Sequence, residues 1–209
     1  IIAGSLSLSE VVESQIIPNV IFQPLGFIVF LVASTAELNR SPFDITEAES
    51  ELVAGYMTDY SSMKFGLFYL GEFMATIASS AVIVTFYLSG WRGPSFLPIP
   101  GEFWFFAKWI GVIAIFIWFR ATFPRLRIDQ IMSLAWKGLF ELSLINLLVI
   151  ALTMAIWPDP TSNQLIIMTG INWVVFLGSI YIFGKILSPN LTGNKLSLIH
   201  ISEPTRLAT

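Results

Sequence analysis

The chain has 209 residues, of which 55% are hydrophobic and 12% charged, with a formal net charge of −3 and a mean hydropathy of +0.76. Soluble domains carry about a quarter charged residues, so this composition excludes an ordinary water-soluble globule, and an acidic balance excludes electrostatic recognition of nucleic acid. With no cysteine and one histidine, His200, the chain lacks the usual thiolate and imidazole ligands for an iron–sulfur cluster or zinc, and it can form no disulfide.

A helix needs about 20 mainly apolar residues to cross roughly 30 Å of hydrocarbon. Ile1–Leu8 reads as the end of an earlier span, with more chain expected ahead of Ile1. Leu8–Ile17 mixes Glu10, Glu13 and Gln15 with apolar residues, the pattern of a short amphipathic helix lying at the interface. The spacing then predicts spans over Val20–Ala36, Phe65–Leu88, Phe103–Phe119, Ile131–Trp157 and Leu165–Leu187. The expected fold is all-α, a polytopic transmembrane helical bundle of about five spans over residues 1–187.

With alternating crossings, Arg40, Lys64, Arg120, Arg125, Arg127 and Lys185 share one side, and Arg92 and Lys108 the other. The richer side is the cytoplasm, or a mitochondrial matrix, by the positive-inside rule. Trp91, Trp104, Trp109, Trp157 and Trp173 fall near span ends, where indole rings favour the headgroup region. Pro94, Pro98 and Pro100 break the outer loop, and Pro158 and Pro160 end the fourth span. Residues 188–209 form a polar tail; its last part, Leu196–Thr209, shares no composition with the rest and resembles a translated sequencing-adapter read-through. It is set aside from fold and function, the alternative being a short polar C-terminal tail.

The informative segment is the loop Glu37–Lys64, with six acids against two bases. Pro42 and Asp44 followed by Glu47 read as a capped helix start, Thr46 with Glu49 offers a second register, and Gly55 suits a C-cap after Ala54. On such a helix Glu47 and Glu51 share a face above Asp44. Two readings stand side by side: the acids cap and solvate a loop, or clustered carboxylates raise one another's proton affinity and hold or pass protons. Glu72 lies about eight residues into its span, on the order of 10 Å along it at 1.5 Å per residue. An ionisable group there usually faces a polar interior or pathway; the simpler role is an interhelical hydrogen bond. Arg120 can snorkel, or its fork can pair with a loop carboxylate. Lys137 and Glu141 are four apart, a spacing that favours mutual neutralisation on one helix face.

The run SPFDITEAESELVAGYMTDYSSMKFGLFYLGEF and the later FRATFPRLRIDQIMSLAWK, with SGWRGP between them, resemble the membrane subunit family called H in bacteria and subunit 1 in mitochondria, within respiratory complex I. The Pro-Phe-Asp, Glu-Ala-Glu and Pro-Arg-x-Arg-x-Asp-Gln elements carry the resemblance over about Ile1–Trp157. It implies a subunit of a proton-pumping NADH:quinone oxidoreductase whose cytoplasmic loops help form the quinone chamber and whose carboxylates begin a proton path. Matched by position, the implied residues are Glu37, Arg40, Asp44, Glu47, Glu49, Glu51 and Asp59 in the first loop, Glu72 in the next span, and Arg120, Arg125, Arg127 and Asp129 in the second loop. Departures are Glu141 and Thr46, where relatives often have proline, and Met57, where they often have histidine.

The resemblance further implies quinone as substrate, no cofactor bound by this chain, and FMN, NADH and iron–sulfur clusters in partner subunits. Implied partners are the peripheral-arm quinone-site subunits, small neighbouring membrane subunits and the lipid bilayer. The expected location is a bacterial plasma membrane, multi-pass. An alternative is the homologous membrane-anchor subunit of a membrane-bound hydrogenase or ferredoxin-linked complex. A stand-alone carrier or channel would predict internal repeats or paired broken helices, and the sequence has neither. No nucleophile–base pair or phosphate-cradling glycine loop is present, so catalysis by this chain alone is not expected.

Overall fold

The computed structural model describes residues 4–5, 7–44, 59–93, 99–158 and 160–197, with their side chains except at 162, 183 and 186–197. The described residues form helices and connecting turns, with no strand among them. In order these are α1 (Leu8–Ser14), α2 (Asn19–Phe22), α3 (Pro24–Glu37), α4 (Met63–Tyr87), α5 (Gly101–Thr122), α6 (Ile128–Leu134), a π-helical turn (Ala135–Leu139), α7 (Phe140–Ile156) and α8 (Ser162–Ser197). Four stretches are long and apolar enough to cross a membrane: Met63–Tyr87, Gly101–Thr122, Ile128–Ile156 and Asn163–Ile182. Only 11–17% of each is buried inside the chain, so large apolar side chains cover their outer faces. That surface suits hydrocarbon or neighbouring helices and not water. The chain is an integral membrane protein.

The predicted span Val20–Ala36 is interrupted. Gln23 leaves the helical region (φ −132°, ψ 69°) and Pro24 begins α3, because proline disfavours helical geometry in the residue before it and suits the first helical position. The 14 residues of α3 reach about 21 Å at 1.5 Å each, short of a full bilayer crossing. Pro158 and Pro160 do end the fourth span, since α7 stops at Ile156.

In lipid no hydrophobic force drives helices together, so close packing and interhelical hydrogen bonds carry the bundle. On α4 the inward positions Tyr69, Glu72, Thr76, Ser80, Ile83 and Val84 recur mostly three or four apart. Ile83 and Val84 meet Leu31 and Leu38 from the α3 side and Val112 and Phe116 of α5 in one buried cluster. Gly26 lets α3 approach closely: a Cβ there would lie 2.9 Å from Asn146 Nδ2 of α7. The Tyr87 hydroxyl donates to the Gly26 carbonyl at 3.2 Å.

The Arg92 end of α4 is tied by polar contacts. Lys108 Nζ donates to the carbonyls of Leu88 (2.6 Å), Gly90 (3.1 Å) and Arg92 (2.5 Å), placing a cation at the negative end of the helix dipole. Gly90 holds φ +49°, and a Cβ on it would strike Val12 at 2.8 Å, so glycine is required both by the turn and by the docking of α1. The amphipathic pattern of Leu8–Ile17 predicts a helix resting at the interface. That helix exposes Glu10 and Glu13 but buries Val12, and Gln15 just beyond it, against the end of α4. Gln15 Nε2 donates to the carbonyls of Thr85 (2.9 Å) and Phe86 (3.1 Å), and its Oε1 accepts from Ser89 N and Oγ, both at 3.1 Å.

Candidate functional site

The site forms where two loops meet α4. After α3 ends at Glu37, Leu38 is buried in the core and Asn39 takes a left-handed φ of 48°, a conformation asparagine tolerates better than most residues. The chain turns there, and Phe43 N donates to the Arg40 carbonyl at 2.8 Å. Phe43 is itself buried. Leu38 and Phe43 thus anchor the turn on both sides of Arg40.

That turn delivers Arg40 onto the inward face of α4. Arg40 Nε lies 2.8 Å from Glu72 Oε1, each side chain 12% exposed. The guanidinium also sits 5.0 Å from the ring centroid of Phe73, within cation–π range. Glu72 lies nine residues after Met63, about 14 Å along α4. A charge at that depth persists when it is paired, and Arg40 supplies the pairing. The other carboxylate oxygen, Oε2, is buried with no hydrogen-bond partner among the described residues. One side of Glu72 is therefore neutralised while the other keeps open acceptor capacity.

The second loop closes over the first. α5 ends at Thr122 and Phe123 is extended (φ −85°, ψ 131°), as expected before Pro124. Ser41 Oγ donates to the Phe123 carbonyl at 3.3 Å, and Leu126 N donates to the Pro42 carbonyl at 3.1 Å. The Ser41–Pro42 peptide is cis. Arg127 then precedes α6: its backbone N–H donates to Gln130 Oε1 at 3.1 Å, with Asp129 in the first turn. This gives the Arg-x-Asp-Gln part of the motif a local role, a helix start with a favourable acid near its N-terminus.

Of the residues singled out by sequence, the structure brings Arg40 and Glu72 together. Asp44 is half-buried just after the turn. Glu37 closes α3 and is exposed; Asp59, on the approach to α4, is exposed as well. Arg120 is exposed in the last turn of α5 and pairs with no carboxylate among the described residues. Arg125, Arg127 and Asp129 lie at the surface of the second loop and the start of α6. Glu47, Glu49 and Glu51 fall outside the described residues, as do the expected helix toward Ala54, Thr46, Gly55 and Met57.

Lys137 and Glu141 do not form an ion pair with each other. Both are exposed, and Lys137 sits within the π-helical turn Ala135–Leu139. Four-residue spacing permits the pair without requiring it, because two long exposed side chains gain little by closing an ion pair. The π turn has no signal in the sequence. Nor does spacing reveal Gln15 as an anchor, because its partners lie about 70 positions away.

The model of the NADH dehydrogenase family matches residues 1–151. The chain belongs to that family. A relative from Dehalococcoides mccartyi (strain CBDB1), named as the H subunit of an NADH-quinone oxidoreductase, is 48% identical over 197 residues, 94% of this chain and 54% of its own length. Its namesake from Geobacillus kaustophilus is 47% identical over 157 residues, 74% of this chain and 47% of its own. A third relative, the first of the H subunits numbered in Geobacter metallireducens, is 50% identical over 149 residues, 71% of this chain and 44% of its own. The chain thus spans about half the length of the curated relatives it matches. Within this family both loops and all of α4 and α5 lie inside the matched region.

Proposed function

We propose that this chain serves in the membrane subunit of a proton-translocating NADH:quinone oxidoreductase of a bacterial plasma membrane, where it lines part of the quinone chamber and couples quinone reduction to proton movement. The relatives' names support the oxidoreductase, and favour it over a hydrogenase anchor. The observation that carries the coupling role is the Arg40–Glu72 pair, with Glu72 Oε2 buried and unpartnered among the described residues.

Charge balance gives the mechanism. While Arg40 sits on Glu72 the pair is close to neutral, and its cost in the bilayer is reduced. If a change at the quinone chamber draws Arg40 toward loop carboxylates such as Asp44, Glu47, Glu49 and Glu51, Glu72 is left uncompensated in a low-dielectric setting. A buried carboxylate without a cation neutralises itself by taking a proton. Return of Arg40 favours its release. The remaining surface charges, Glu37, Asp59, Arg120, Arg125, Arg127 and Asp129, line the approach and orient the peripheral-arm subunits that hold FMN, NADH and the iron–sulfur clusters. Those partner cofactors deliver electrons to quinone; this chain's share is to hold and move charge.

In the assembled oxidoreductase, Glu72→Gln is expected to lower quinone-dependent turnover and its coupled proton uptake about tenfold or more, in the direction of losing a proton-transfer group. Asp44→Asn, Glu47→Gln and Glu51→Gln are expected to lower both less. NADH oxidation by an artificial acceptor that takes electrons from the flavin stays at the native rate. Unchanged quinone turnover in all four variants would reduce the loop to a capped, solvated connection and Glu72 to a packing contact.

A further inference from the structure

Arg40 reaches Glu72 from a turn that is held from two directions. Leu38 and Phe43 anchor it to the core. The next two residues of the turn, Ser41 and Pro42, are gripped by the second loop through Ser41 Oγ to the Phe123 carbonyl (3.3 Å) and Leu126 N–H to the Pro42 carbonyl (3.1 Å). Both bonds fall within two residues of Arg40, and their far-side groups belong to the backbone stretch that joins α5 to α6. That stretch is exposed except at the half-buried Leu126. A displacement of it is therefore passed to the turn through these two hydrogen bonds.

We infer that the Phe123–Leu126 segment is a positioning element for the Arg40–Glu72 pair: it clasps Ser41 and Pro42, and its place sets whether Arg40 stays on the carboxylate. Ser41 is the positioning residue whose side chain carries this link. The inference rests on the reading of Glu72 as a proton-coupling group, and extends it by naming a second loop through which the pair is set. Surface groups of that loop, Arg125 and Arg127, then act as the handle on which a partner subunit or the quinone chamber pulls. Besides Arg40, ionisable side chains on the surrounding elements are Glu37 at the end of α3, Asp44 in the same loop, Lys64, Tyr69 and Tyr87 on α4, Glu102, Lys108 and Arg120 on α5, and Arg125 and Arg127 in the second loop. The contact at hydrogen-bond distance is made by Arg40.

The test uses infrared difference spectra of the assembled oxidoreductase, reading the C=O stretch of a protonated Glu72, assigned by its loss in Glu72→Gln. Arg40→Gln is expected to enlarge that band. Ser41→Ala and Leu126→Pro, which remove one clasp bond each, are expected to enlarge it too, raising the protonated fraction about twofold, the low end for a hydrogen bond, since the Ser41 bond is exposed and long for O–H···O. Ser41→Thr keeps the hydroxyl and restores the native band. If Leu126→Pro fails to assemble, Ser41→Ala against Ser41→Thr decides alone. A band enlarged by Arg40→Gln but unmoved by either clasp variant overturns the inference, as does a band that Arg40→Gln itself leaves unmoved. The coupling reading fails separately, when Glu72→Gln turns over quinone and takes up protons at the native rate; the band still reports whether the clasp holds Arg40.

Discussion

Replacing Arg40 with alanine is expected to destabilise the subunit by about 3 kcal/mol, the scale for breaking a buried ion pair by removing one partner. Two terms add. Glu72 Oε1 loses its bond from Arg40 Nε, and because Oε2 already lacks a partner among the described residues, the whole carboxylate is left in a low-dielectric site. The loop also loses the guanidinium's contact with the Phe73 ring. Thermal denaturation of the assembled complex, followed by loss of this subunit on native gels, should show the drop. The double variant Arg40→Ala with Glu72→Gln should recover more than half of it, because an amide can be buried at lower cost than an unpaired charge. Equal stability of the single and double variants would mean that the pair does not neutralise Glu72.

Gln15→Leu should be the next most damaging change, at about 2–3 kcal/mol for four hydrogen bonds lost, with the Thr85 carbonyl and the Ser89 N–H left unmet while the Phe86 carbonyl keeps its bond from Asn19 Nδ2 at 2.8 Å. The side chain is 3% exposed, so water cannot substitute, and leucine matches its bulk without its polarity. The carbonyls of Thr85 and Phe86 belong to the last turn of α4, which has no intrahelical donors left to offer them. Hydrogen exchange should report the loss as faster exchange across α1 and the final turn of α4, while α7 and α8 stay protected. Uniform exchange in native and variant protein would mean that α1 is not held by this residue.

Apolar length is enough to read α4, α5 and the rods beyond them, because a membrane crossing demands about 20 residues and few charges. The proline stops after Trp157 are legible for the same local reason. The break at Gln23 is present in the sequence as Pro24, but the continuous apolar run from Val20 outweighs it. Glu72 draws attention as an ionisable group inside a span, and Arg40 through its position in the first loop of the family resemblance. That they meet is not legible, since 32 positions separate them and the left-handed turn at Asn39 that joins them leaves only a weak mark. The polarity of Gln15 points to the interface, whereas its hydrogen bonds are satisfied by distant backbone carbonyls. Lys137 and Glu141 show the limit of spacing rules: four residues bring two side chains within reach on a helix, but exposed charges gain little by pairing and here stay apart.

For charge to move as proposed, Glu72 must face a hydrated path while Arg40 holds its other side. An electron cryo-microscopy structure of the assembled oxidoreductase with quinone bound tests this most directly. The expected result is ordered water at Glu72 Oε2, in a polar line that continues through the first loop to the quinone chamber. Lipid chains or closely packed apolar side chains against Oε2, with the quinone remote from both loops, would contradict it.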